Sequence, residues 1–217
     1  MQNLHHLNTL VHIGAGIAAL VLGLFPLLSR KGGRLHRVTG LLFAICGFAV
    51  IACAVIGVVF YPQPGPLVMV TLSAGYQYVS GLRALPRFGG AAPSAFDAAL
   101  AVAALGGSAL LLTRLHDGNA AWPPAIGYST LGFVATVALY DLNRHLWVQT
   151  WRAHIRFIDH GLKMTGTLFA FASAGLGNSA PSWQPWSQLA PSMIGLAVMG
   201  LLLVLYIRDN RRKARER

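Results

Sequence analysis

A chain of 217 residues, 55% hydrophobic and only 11% charged, does not read as a water-soluble domain, in which about a quarter of the residues carry charge. A net charge of +11 would suit a nucleic-acid binder. The lysines and arginines, however, fall in short clusters between long apolar runs, the pattern by which a membrane protein marks its cytoplasmic side, and a nucleic-acid partner is excluded.

A membrane-crossing helix needs about 20 apolar residues. Seven segments qualify: 7–28, 35–60, 67–85, 95–113, 124–144, 155–176 and 192–207. The first is long enough to span and lacks the basic leader of a cleaved signal peptide. Ser29, Arg30, Lys31, Gly32 and Gly33 close the first hairpin, and Pro62, Pro64, Gly65 and Pro66 close the second. Cys46 and Cys53 lie in the second span on one helix face, too far apart to bridge, so neither a disulfide nor a thiolate metal site is expected. Pro86, Gly89 and Gly90 open the third break, after which Ser94 and Asp97 form a capping box for the fourth helix. Pro123 and Pro124 start the fifth after Trp122. Trp183 and Trp186, before the seventh, suit an interfacial aromatic belt.

The expected fold is therefore all-α: a polytopic bundle of seven transmembrane helices over residues 1–207, with a basic, frayed cytoplasmic tail at 208–217 touching membrane lipid. With the N-terminus outside and the C-terminus in the cytoplasm, all but Arg114 of the 17 basic residues, Lys163 included, fall on cytoplasmic segments. An even number of spans would destroy that alternation.

Eight histidines are many beside so few other ionisable groups. His12, His36 and His160 each stand four residues before Gly16, Gly40 and Met164, on the same helix face. Small residues continue the first two faces, at Ala19 and Gly23 and at Ala44 and Gly47. Such a face makes either a close helix contact or room for a flat cofactor. Depth separates His12 from His36, which start at opposite ends of adjacent spans. It favours His160 or His154 as the partner of His36, with Met164 as a soft ligand one turn deeper.

Among the six acidic residues, Asp141 and Asp159 fall inside spans, where an ionisable group is functional by default. The alternative is pairing along the helix surface near the headgroups, of Asp159 with Arg156 or Lys163 and of Asp141 with Arg144 or His145. Gln77, with Ser73 and Ser80, forms a polar stripe in the third span that must face the bundle and suits a quinone carbonyl or an interhelical hydrogen bond. No lysine lies in the seventh span, which excludes retinal in the usual rhodopsin position. No phosphate loop, nucleophile elbow or zinc-protease motif is present, and nothing assigns an enzymatic activity.

The run from His12 through Gly16 and Gly23 to Arg30, Lys31, Arg34, His36, Arg37 and Gly40 resembles the opening of a family of uncharacterised bacterial multi-pass membrane proteins. The run from His160 through Lys163 and Met164 to Phe171 and Asn178 resembles a later part of the same family. The resemblance covers helices one, two and six. It implies a bacterial cytoplasmic membrane. It is also similar in style to small histidine-bearing proteins that bind haem or help to assemble respiratory oxidases, and it marks His12, His36, Arg37, His160 and Met164. Three functions follow as expectations: a redox or cofactor-handling protein using haem b or a quinone, a non-catalytic accessory subunit of a membrane-protein complex, or a small-molecule transporter. In the first, His36 and His160 converge near the cytoplasmic face, with Arg37 meeting a propionate or a lipid phosphate and Asp159 orienting an imidazole.

Overall fold

The computed structural model describes residues 2–61, 65–88, 94–116, 124–151 and 155–215. The expectations for Pro62, Pro64, Gly89, Gly90, Trp122, Pro123 and His154 fall outside them, as do the side chains of Pro66, His145 and Arg156. Among the described residues there are seven α-helices and no strand. They are α1 (Gln2–Leu28), α2 (Arg34–Phe60), α3 (Gly65–Arg83), α4 (Ala95–His116), α5 (Pro124–Trp151), α6 (Ile155–Ser179) and α7 (Trp186–Arg215). Short 3-10 turns stand at Pro86–Phe88 and Pro181–Trp183.

Five helices, α1, α2, α4, α5 and α7, are long and apolar enough to cross a membrane. The outer surface is apolar to match, with Leu10 69%, Phe48 66% and Val102 58% exposed. Polarity is inverted relative to a soluble protein: the charged and amide side chains of Asp141, Asp159, Lys163 and Gln77 are buried instead. A continuous apolar exterior of this extent marks a multi-pass membrane protein. Trp183 and Trp186 are exposed next to the start of α7, where a belt residue belongs.

The two helices outside that set, α3 and α6, are the inner ones. Helix α3 packs against α2, α4, α5 and α6, and α6 packs against α1, α3 and α7. Facing protein on most sides, they do not need an apolar circumference. One core joins Ala19, Phe43, Val50, Ala74, Leu168 and Phe171 from α1, α2, α3 and α6. A second joins Tyr76, Ala101, Ala104, Val134 and Ala138 from α3, α4 and α5.

Helices α1 and α2 form an antiparallel hairpin zipped by side chains on backbone carbonyls. Asn8 Nδ2 donates to Cys53 O at 3.0 Å, His12 Nδ1 to Val50 O at 3.0 Å and His36 Nδ1 to Pro26 O at 3.1 Å. The small-residue face is thus a helix contact: a Cβ on Gly16 would meet Val50, one on Gly40 would meet Pro26 and one on Gly47 would meet Tyr78. Lys31 Nζ donates to the Pro26 and Leu27 carbonyls at 2.8 and 2.6 Å, so Lys31 and His36 together cap the open C-terminal carbonyls of α1. Partial desolvation in that position lowers the Lys31 pKa from its ordinary value. Gly32, at φ +75°, supplies the left-handed turn residue that the hairpin needs.

The capping box of α4 is present. Ser94 N and Oγ donate to Asp97 Oδ2 at 2.9 and 2.8 Å, and Asp97 N to Ser94 Oγ at 3.4 Å. Arg83, at the end of α3, forks onto both Asp97 oxygens at 2.8 and 3.0 Å and onto Ser94 Oγ at 2.9 Å, and so ties α3 to α4. The basic tail differs from expectation: α7 continues as helix to Arg215 rather than fraying after Ile207.

Candidate functional site

Helix α6 begins with polar residues on the face it turns to α3 and α5, and the burial of that face brings charges together. Asp159 and Lys163 lie one turn apart on α6, both buried, and Lys163 Nζ reaches Asp159 Oδ1 at 3.0 Å. Across the seam with α5, Lys163 Nζ donates to Asp141 Oδ1 at 2.5 Å. Arg144, one turn beyond Asp141, donates through Nη1 to Asp159 Oδ2 at 2.6 Å and stands 4.0 Å from Asp141. From α3, the Tyr76 hydroxyl donates to Asp141 Oδ2 at 2.6 Å. The Lys163 ammonium also lies 5.8 Å from the centre of the Tyr140 ring.

Read as a sequence of contacts, Arg144, Asp159, Lys163, Asp141 and Tyr76 form one unbroken line from a partly exposed guanidinium to a buried phenol on the central helix. Its formal charges cancel, two acids against two bases, which removes the monopole but not the cost of stripping water from four ions. Lys163 stands about 12 Å along α6 from Ile155 at 1.5 Å per residue. It is 4% exposed, so it belongs to the bundle interior. The helix-surface reading of the two acids is corrected for the same reason: Asp141 is 5% and Asp159 3% exposed, and both pair across the helix interface as well as along it.

Of the sequence-selected residues, the structure gathers His160, Met164 and Gln77 along the α3–α6 seam, next to this line. His160 Nδ1 donates to Gly81 O at 2.8 Å. Gly81 has no side chain because α6 leaves no space: a Cβ there would meet Lys163 Cβ at 3.0 Å and Met164 Sδ at 3.1 Å. Gln77 is buried, its Nε2 donates weakly to Ser73 O and Oγ at 3.3 Å, and its Oε1 sits against Gly166 of α6. His12 and His36 stand instead on the α1–α2 hairpin, at the carbonyls of each other's helix, and Arg37 is exposed. Both oxygens of Asp159 go to cations.

Sequence reasoning singled out both aspartates, Lys163 and, as a partner of Asp141, Arg144, but neither the reach of Arg144 to Asp159 nor the part of Tyr76. The signal available was Lys163 itself. A lysine two turns inside a helix, with an acid one turn before it and another acid near the facing end of the preceding helix, cannot reach water easily once that face is buried and needs partners. Tyr76 carried no such signal, because phenols are ordinary in spans. Among the described residues no group of three or more His, Cys, Asp or Glu has the arrangement of a metal site. No protein family, curated protein or solved structure matches the chain.

Proposed function

We propose that this is a seven-span protein of a bacterial cytoplasmic membrane, N-terminus outside and C-terminus inside, and that it handles protons through the line from Arg144 to Tyr76. The orientation rests on the basic clusters at Arg30, Lys31, Arg34 and Arg37 and at the end of α7, which stand on one side of an odd number of crossings. The count of seven is supported by the packing of the two inner helices among the five apolar ones.

The observation that carries the proton reading is the continuity of the line. Each link is 3.0 Å or shorter, and at its buried end the N–H of Lys163 and the O–H of Tyr76 both point at the Asp141 carboxylate, which can accept a proton. Stability alone does not call for such an arrangement, since apolar residues of similar volume serve a buried position as well or better. A proton arriving on Asp141 releases Lys163 from its shortest contact and frees the Tyr76 hydroxyl to turn. The charge state of one carboxyl is thereby linked to the packing of α3, α5 and α6. The test is an infrared pH titration of the reconstituted protein, with proteoliposomes carrying an internal pH dye alongside. A protonated-carboxyl band that D141N removes, together with proton uptake that D141N abolishes, is expected. No carboxyl band that D141N removes and no proton movement would end the reading.

A second reading, cofactor handling with haem b or a quinone, is favoured by one specific observation. A carbonyl oxygen can only accept, so the contacts of His12, His36 and His160 place the proton of each imidazole on Nδ1. That is the tautomer a metal-ligating histidine adopts when a backbone carbonyl orients it. On this reading His36, His160 and Met164 are the ligand positions, Gln77 the contact to a quinone carbonyl and Arg37 the partner of a carboxylate. An absorbance spectrum of the purified protein decides it: a Soret band lost in H36A/H160A supports haem, and a spectrum without one removes it.

A further inference from the structure

The seventh helix does not stop where its apolar run ends. It carries Arg208, Arg211, Arg212 and Arg215 on an additional stretch, at spacings of three, four and seven residues, which is one helix face. All four are exposed, and together they line one open concavity. Like charges at these spacings repel along a helix, and topology is served equally well by arginines spread around the circumference. Asp209 stands three residues before Arg212, at the edge of this face, and Asn210 lies on the far side of the helix.

One turn at a time toward the N-terminus, the same face continues as Val204 and Leu205, four and three residues before Arg208, and then as Leu201. Leu201 is 57%, Val204 44% and Leu205 51% exposed, so among the described residues no other helix covers them. The face is therefore half apolar and half basic, and the division falls where the apolar run of α7 ends. An occupant that complements both halves has apolar chains joined to an anionic head.

We infer that this face of α7 binds one anionic phospholipid. Its phosphodiester lies among Arg208, Arg211, Arg212 and Arg215, and its acyl chains lie along Leu201, Val204 and Leu205. Guanidinium forks suit a phosphate's paired oxygens better than the point charge of an ammonium does. The acyl half distinguishes the lipid from a free phosphate, a soluble acidic peptide or a nucleic acid, none of which fills an apolar strip. The inference is independent of the proton and cofactor readings.

The test is native mass spectrometry of the full-length protein in detergent with equimolar phosphatidylglycerol and phosphatidylcholine. Wild type is expected to retain one phosphatidylglycerol selectively. R208Q/R211Q should lower that retention about twenty-five-fold, at roughly fivefold per arginine. R212Q/R215Q serves as a second pair should the first melt early. R30Q/R34Q, which removes the same charge from the α1–α2 turn, should change retention less than twofold. Equal retention of both lipids, or an equal loss in R30Q/R34Q, would overturn the site in favour of general attraction. Displacement of phosphatidylglycerol by millimolar inorganic phosphate would overturn it in favour of a free-phosphate site.

Discussion

Removing the Lys163 ammonium should destabilise the bundle, and the way the loss is repaired should follow the contacts. In K163M the apolar stem is kept and only the charge goes. Asp141 then loses its 2.5 Å partner and retains the Tyr76 hydroxyl at 2.6 Å with Arg144 no nearer than 4.0 Å. Asp159 loses a 3.0 Å partner but keeps Arg144 at 2.6 Å. The uncompensated charge therefore resides on Asp141. Breaking a buried pair by deleting one partner costs about 3–5 kcal/mol, and K163M should fall in that range. The double variant K163M/D141N, which neutralises the stranded acid, should recover most of it. K163M/D159N should recover much less, because it removes the acid that still has a partner and strands the Arg144 guanidinium as well. The assay is denaturant unfolding in mixed micelles, with helix content as the signal, for the four proteins side by side. Equal stability of K163M and wild type, or better rescue by D159N than by D141N, would refute the assignment of contacts.

Other substitutions probe the rest of the bundle. G166A places a methyl group against Gln77 Oε1 and should destabilise by about 1–3 kcal/mol, with Q77A in the same chain restoring most of the melting temperature. R83K keeps the charge of Arg83 but not its fork on Asp97 and Ser94, so amide exchange in the first turn of α4 should accelerate while α2 is unaffected. Reporter fusions at Gly32 and Gly65 should report opposite sides of the membrane, cytoplasmic and then external, and the same side for both would end the seven-span orientation.

The order and number of helices were legible because a bilayer imposes one coarse requirement, an apolar run of sufficient length, and the turns carry glycine and proline. The helix ends were less so. Helix α1 begins at Gln2 rather than near Leu7, α5 runs past Arg144 to Trp151 and α7 begins at Trp186. Hydropathy registers only the part of a helix that sits in hydrocarbon, while backbone hydrogen bonding continues through the polar residues beyond it. The candidate site was half legible. A buried aspartate and lysine one turn apart announce themselves, but which neighbour answers them is decided by helix rotation and register. Neither can be read from α3, whose Tyr76, Gln77 and Tyr78 are all buried and give no single face away.

Helix α6 has a history that its final position conceals. If α6 crosses the membrane as proposed, Asp159 and Lys163 each oppose partition of the isolated segment, by up to about 2.5–3.5 kcal/mol for a charge at the bilayer centre, and α6 is not among the five helices apolar enough to cross by composition. On that proposal its passage into lipid is helped by partners made before it: Asp141 and Arg144 on α5, synthesised just before it, and Tyr76 on α3, earlier still. Insertion of α6 is then a cooperative event of the second half of the chain, timed by the emergence of a hairpin and not of a single helix. A ribosome-bound chain cut short within α5 would hold every apolar segment made so far in the membrane, whereas a chain lacking α5 would deliver α6 to the aqueous side, intact in sequence and without a place to go.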